Sequence, residues 1–220
     1  MHKKKFNSLA IVIPSFNEKK NFNNILKKIN KKYNLLIIDD CSSDGTSSYL
    51  KKNKIFFIRN NKNLGYEKSL IKVFLFLIKL KKIKYILTMD ADGQHKISYI
   101  EKMLSYLTKN KADIIIGSRL RKNRFIEKII SKVFKMKYDL SDPLSGFKLY
   151  RTEVIKKIDF TKIKKLFLVD IIIQALNKNF KISNINIKTK LRKDKPRVGN
   201  LIYSNLKMIN ILFSIIYTKK

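Results

Sequence analysis

Short apolar runs bounded by turn residues recur along the chain at Leu9–Ile13, Leu35–Ile38, Ile55–Ile58, Tyr85–Met89 and Ile114–Ile116. Each is brief and mostly β-branched or aromatic, which predicts a buried strand. Between them lie lysine-rich amphipathic stretches of helical length, Lys19–Lys32, Ser42–Lys52, Glu67–Lys82 and Ser98–Lys109. Strands and helices alternating in this way predict an α/β three-layer sandwich, a mainly parallel sheet with helices on both faces. After residue 122 the alternation lapses. Asp142 to Arg151 reads as a turn feeding a short strand, another strand is expected at Ile182–Ile187, and a basic link runs from Lys188 to Arg197. From Leu201 to Tyr217 an apolar pattern is interrupted by Ser204, Asn205, Lys207, Asn210 and Ser214. That pattern suits a helix lying in a membrane interface, and equally one packed on the domain's own sheet. The division expected is a domain over residues 1–199 and a C-terminal amphipathic helix over 200–220.

In open parallel sheets, ligands bind where the carboxyl ends of the strands meet loops and helix amino termini. The polar outliers of this chain fall there: Pro14-Ser15-Phe16-Asn17-Glu18 after the first strand, Asp39-Asp40 after the second, Asp90-Ala91-Asp92 after the fourth and Gly117-Ser118-Arg119 after the fifth. Two aspartates separated by one small residue project their carboxylates to the same side of an extended backbone. Such a pair suits Mg2+ or Mn2+, which take one or two carboxylates and complete their shell with phosphate oxygens and water. Gln94 adds a neutral oxygen from the same loop. Read alone, an Asp-x-Asp is as readily a turn or helix cap; the neighbouring motifs favour the cation site. Asp40 is expected to accept hydrogen bonds from a base or ribose, Asp44 to cap a helix, and His95 to make loop hydrogen bonds.

The 220 residues, 45% of them hydrophobic, fit one domain with a sizeable core. The single cysteine, Cys41, excludes an internal disulfide and a thiolate cluster. With no secretion signal in the basic start and no uninterrupted apolar run of about 20 residues, the expected location is the cytoplasm, peripheral on the inner face of a membrane. The formal charge of +34 raises the possibility of nucleic-acid binding. Only seven of the 50 basic residues are arginine, and the lysines spread over almost every segment. That diffuse charge argues against a nucleic-acid patch and for attraction to anionic lipid and phosphate-bearing substrates.

Taken together, Val12-Ile13-Pro14-Ser15-Phe16-Asn17-Glu18, Ile38-Asp39-Asp40-Cys41-Ser42-Ser43-Asp44-Gly45-Thr46, Asn63-Leu64-Gly65, Asp90-Ala91-Asp92-Gly93-Gln94-His95, Gly117-Ser118-Arg119 and Ser145-Gly146-Phe147-Lys148-Leu149-Tyr150-Arg151 resemble the inverting glycosyltransferases of family 2. These have the Rossmann-like GT-A fold, and the likeness is greater to their polyprenyl-phosphate sugar transferase branch, that of dolichol-phosphate mannose synthase. The resemblance covers about residues 8 to 207. It implies that Pro14, Phe16, Glu18, Ile38, Asp40 and Ala91 line a nucleotide-sugar pocket, that Asp90, Asp92 and Gln94 hold metal and diphosphate, and that Arg119 meets phosphate. Ser145 and Arg197 would contact the acceptor, although Gly199 lacks the serine usual two residues on.

The reaction implied is in-line displacement at the anomeric carbon with inversion, Asp92 and Arg119 serving the departing diphosphate. Mannose from GDP-mannose is the first donor to try, and a polyprenyl phosphate the first acceptor. A phosphate acceptor is already ionised and needs no strong base. A sugar-hydroxyl acceptor, as in extension of a lipopolysaccharide or other glycolipid, would need one, and Asp142 is the candidate. The alternative from another class is a non-catalytic basic protein that binds polyanions or membranes.

Overall fold

The computed structural model of the chain describes residues 8–29, 33–122, 124–163, 166–189 and 209. The amino-terminal half alternates as expected: β1 (Leu9–Ser15), α1 (Lys19–Ile29), β2 (Asn34–Asp39), α2 (Thr46–Lys52), β3 (Phe57–Arg59), α3 (Tyr66–Leu77), β4 (Tyr85–Thr88), α4 (Ser98–Lys109) and β5 (Ile114–Arg119). Then follow α5 (Phe125–Tyr138), β6 (Lys148–Arg151), α6 (Thr152–Lys157), a 3-10 turn (Phe160–Lys162), α7 (Phe167–Asn177) and β7 (Ile182–Ile187). The seven strands form one sheet in the order β3-β2-β1-β4-β6-β5-β7. Every pairing is parallel except those of β6, which runs antiparallel to both β4 and β5.

The strands are continuous apolar runs because both faces are covered. On one face Leu9, Ile11, Ile13, Leu35 and Ile37 pack with Phe22 of α1, Leu50 of α2 and Ile100, Met103 and Leu107 of α4. Their alternate neighbours Ala10, Val12, Leu36 and Ile38 meet Leu70, Val73, Phe74 and Leu77 of α3, Val154 and Ile155 of α6, and Phe167 and Ile171 of α7. This period-two division makes the three layers. A third cluster joins Ile130 and Phe134 of α5 to Ile116, Val169 and Ile172.

Helices α5, α6 and α7 are absent from the sequence expectation. Strand and helix still alternate through β5, α5, β6 and α6, and the repeat breaks only where α7 follows α6 with no strand between them. Helix α2 starts at Thr46 instead of Ser42, because Ser42 to Asp44 are used in a loop against residues 17–19. Among the described residues no helix is long and apolar enough to cross a membrane. The helix expected over 200–220 lies outside the described residues except for Ile209, as does Arg197.

Candidate active site

All parallel strands end on one side of the sheet, and because β6 is antiparallel its first residue, Lys148, stands there too, opposite Thr88 at the end of β4. The loops leaving β1 and β2 are sewn together at this side. Asn17 is in the left-handed region (φ 56), its N–H donates to Ser42 Oγ at 2.9 Å, and its Oδ1 accepts from the Ser43 amide at 2.8 Å. Asp44 accepts from the Lys19 amide at the start of α1 and from the Thr46 amide at the start of α2. It therefore ties the starts of the two helices together, while Gly45 and not Asp44 holds the cap position of α2.

Asp39 and Asp40 are both buried. Asp39 accepts from the Ser42 amide and from the Ser47 hydroxyl. Asp40 Oδ1 accepts from Asn60 Nδ2 and the Leu64 amide, each at 2.8 Å, and Oδ2 accepts from the Gly65 amide at 2.7 Å. Three of its four lone-pair sites are thus committed to the segment that leads into α3. Asn60, unremarkable in sequence, holds this arrangement: its amide nitrogen also reaches Ser69 Oγ, and its oxygen accepts from Lys72 Nζ at 2.7 Å.

Asp90 lies just beyond β4. Its carboxylate fills the space where a side chain on Gly146 would stand, since a Cβ there would lie 2.4 Å from Asp90 Oδ1 and 2.6 Å from Oδ2. The Gly146 carbonyl accepts from Thr88 Oγ1 at 2.7 Å, which fixes this close approach. His95 sits 3.4 Å from Asp90 Oδ2 through Nε2 and stacks flat on Phe147, ring centroids 4.7 Å apart. Tyr66 at the start of α3 brings its hydroxyl to 3.5 Å of Asp90 Oδ1, a long contact. Burial pushes the Asp90 carboxyl up, but the hydrogen bond and charge of His95, then Arg119 and Lys148, bring it below its ordinary value. Asp92 Oδ1 accepts from the Gln94 amide at 3.0 Å and tightens the turn.

The other side of the site is built on Arg119 and Asp142. Arg119 Nε donates to Asp142 Oδ2 at 2.8 Å and Nη2 to Oδ1 at 2.9 Å, a fork-to-fork pair, and the Arg119 amide adds a third bond at 2.9 Å. Nη2 also lies 3.5 Å from Glu127 of α5. Burial pushes the fully enclosed Asp142 carboxyl up, but Arg119 and then Lys148 take it below the ordinary range. Lys148 is itself fully buried. Its ammonium donates to the Pro143 carbonyl at 2.8 Å and to the Ser145 carbonyl, tying the turn from Asp142 to Gly146 to the head of β6. Burial lowers its pKa to about 7 against the pull of Asp142.

Several residue expectations change. Asp142 anchors Arg119 through both of its oxygens and its acidity is raised, which leaves it little capacity to take up a proton. Asp142→Asn would unpair Arg119 whatever the acceptor, so that variant does not separate acceptor classes. Ser145 is fully buried, donates from its hydroxyl to the Gly117 carbonyl at 2.7 Å and accepts from the Phe147 amide, so its polar capacity goes to the turn. Ile38 and Ala91 lie in the core, Ile38 against the α3 face and Ala91 against the α1 face. Pro14 is half-buried, Phe16 is 41% exposed at the rim, and Glu18 accepts from Asn21 Nδ2 at 2.6 Å. Tyr66, Asn60 and Lys148 are site residues that sequence reasoning missed. Lys148 carries one signal, a lysine directly before the apolar pair Leu149 and Tyr150.

The donors around Asp90 fit a hard divalent cation. Asp90 has only long contacts on both oxygens, and Asp92 stands two residues on in the same turn. No group of three or more His, Cys, Asp or Glu side chains forms a closed metal cage among the described residues. Two carboxylates of this kind suit Mg2+ or Mn2+ whose remaining positions go to phosphate and water.

A dolichol-phosphate mannosyltransferase of Pyrococcus furiosus is 30% identical over 190 residues, 76% of this chain and 53% of that protein. An uncharacterized protein of Methanocaldococcus jannaschii is 35% identical over 172 residues, 69% of this chain and 75% of that protein. Among solved structures, the glucosyl-3-phosphoglycerate synthase of Mycobacterium tuberculosis in complex with Mn2+, UDP-glucose and phosphoglyceric acid superposes with a TM-score of 0.74 at 13% identity, over 97% of this chain and 81% of that chain. It is a likeness of fold. The model of glycosyl transferase family 2 matches residues 10–159, which run from β1 past the carboxylates and the Arg119–Asp142 pair, and the chain belongs to that family, as a glycosyltransferase of GT-A fold.

Proposed function

We propose that the protein transfers a sugar, with mannose from GDP-mannose the first candidate, from a nucleoside diphosphate to a polyprenyl phosphate, with inversion at the anomeric carbon. The observation that carries the choice of acceptor is the commitment of Asp142 to Arg119. A sugar hydroxyl needs a base as it attacks, and the carboxylate suited to that work is engaged and acidified. A lipid phosphate, with a second pKa of about 6, is already a nucleophile near neutral pH. Resemblance to a dolichol-phosphate mannosyltransferase supports the same acceptor class.

In this reading Phe16 and the Pro14–Glu18 loop border the nucleotide, and Asp40 keeps the segment leading into α3 in place beside it. Asp90 and Asp92 would hold Mg2+ or Mn2+, which supplies charge to the diphosphate as it leaves. Arg119, held in one orientation by Asp142, presents its guanidinium to phosphate. The acceptor oxygen forms its bond to the anomeric carbon as the bond to the diphosphate oxygen breaks.

The test is a panel of nucleotide sugars with Mn2+ or Mg2+, each offered a polyprenyl phosphate, with product mass as the readout. A sugar-phosphate-lipid product is expected, and Asp92→Asn should remove both metal-dependent nucleotide binding and turnover. A product formed only on sugar hydroxyls would overturn the acceptor, and unchanged turnover in Asp92→Asn would overturn the metal assignment.

A further inference from the structure

The three most exposed large apolar side chains among the described residues, Leu120 at 59%, Phe125 at 77% and Met136 at 78%, belong to one helix and the segment leading into it. In α5 the exposed positions Phe125, Lys128, Lys132, Lys135 and Met136 recur at three- and four-residue steps, so they share one face, while Ile130 and Phe134 turn into the core. Beside this face is a cavity of about 370 Å³ lined by Lys122, Lys128, Lys132 and Lys135 with Ser131 and Ser141, and edged by Leu120. Ser131 is buried and its hydroxyl has no hydrogen-bond partner. Lys135 is paired with Asp139 at the cavity's far end of the helix, and no carboxylate is among the lining residues.

We propose that the outer face of α5 docks on an anionic membrane, with a phospholipid headgroup phosphate entering the lysine-lined cavity and Leu120, Phe125 and Met136 entering the acyl boundary. Lysines gathered around one cavity with no carboxylate among them are the chemistry of a phosphate site. Exposed apolar side chains interleaved with them are the pattern of an interfacial helix, and they gain nothing from a polynucleotide, whose outer surface is phosphate and sugar. The position has a purpose under the lipid-linked acceptor proposed above, on which the inference rests for its meaning. Leu120 follows Arg119 and Ser141 precedes Asp142, so docking this face brings the Arg119–Asp142 side of the site to the lipid surface.

Binding is read without turnover, on the full chain. The protein contains no tryptophan, so Phe125→Trp introduces the sole indole. With vesicles of phosphatidylcholine and phosphatidylglycerol its emission should shift to the blue and be quenched by brominated acyl chains. Tyr106→Trp on α4 should do neither. Lys128→Glu with Lys132→Glu should weaken sedimentation with these vesicles by roughly tenfold or more, and the charge-matched pair Lys51→Glu with Lys52→Glu on α2 far less. Equal loss in the two pairs would mean diffuse charge attraction alone and would overturn the proposal. So would an indole that is silent with vesicles, or one already blue-shifted in buffer, which would mean that protein covers this face. Docking intact with no lipid-linked product formed would overturn the acceptor reading and leave this surface standing.

Discussion

Gly146 and Lys148 bracket the point where the antiparallel strand meets the carboxylate rim, Gly146 explained by its contact with the distant Asp90 and Lys148 by the turn carbonyls it ties down. A methyl group on Gly146 would lie inside the van der Waals envelope of Asp90. Gly146→Ala should therefore push Asp90 aside, lowering kcat/KM by at least about tenfold for a change of about 1–3 kcal/mol in stability. Steady-state kinetics beside a urea titration would separate the two, and an active Gly146→Ala enzyme would mean that Asp90 can move without loss. Lys148 gives a pH signature. Its folded pKa of about 7 lies below its ordinary 10.5, so between these values the unfolded chain binds more protons than the folded one. Stability from this group consequently rises with pH across that window, by at most about 1.4 kcal/mol per pH unit, and is lowest below pH 7. In Lys148→Met the rise should flatten, which urea midpoints taken from pH 7 to pH 10 would detect.

At the scale of elements, the short strand before residue 152 was expected, and the direction and place of β6 in the sheet are what the apolar pattern could not foretell. Its antiparallel insertion between β4 and β5 carries the Asp142–Phe147 turn across the strand ends, where Thr88, Gly117 and Arg119 receive it. The motifs on both sides were legible, since turn residues and carboxylates after apolar runs reveal themselves locally. That Ser145 serves the turn and Asp142 serves Arg119 was not legible, because both facts depend on pairing across 23 or more residues. The clasp of Asp40 on the segment before α3 is a second junction of this type. Asp40→Ala would release the Leu64 and Gly65 amides and the Asn60 side chain, and should cost about 2–3 kcal/mol. A lower urea midpoint with an unchanged m-value is the expected result. Nucleotide affinity should fall as well, since the same segment carries Tyr66 to the site.

For the molecule as a whole, a formal charge of +34 on 220 residues makes self-repulsion a standing cost of compactness. Raising salt from a few millimolar to about 0.1 M shortens the screening length to about 10 Å. The melting temperature should rise over that range, and a salt-independent Tm would show that self-repulsion costs the folded chain no more than the unfolded one. The sequence by itself determined the α/β class, the strands and first four helices, and the rim on which the carboxylates and Arg119 gather, because burial on two faces and turn chemistry are written in neighbouring residues. Only the tertiary structure decided the order of the sheet, the three later helices, and the division of the polar residues between those open to a ligand and those spent on the fold. The physical reason is that a carboxylate's remaining capacity depends on which donors reach it through space. Asp40, Asp90 and Asp142 look alike along the chain, and three different sets of partners make them a clasp, a cation ligand in the proposed reaction and an anchor for arginine.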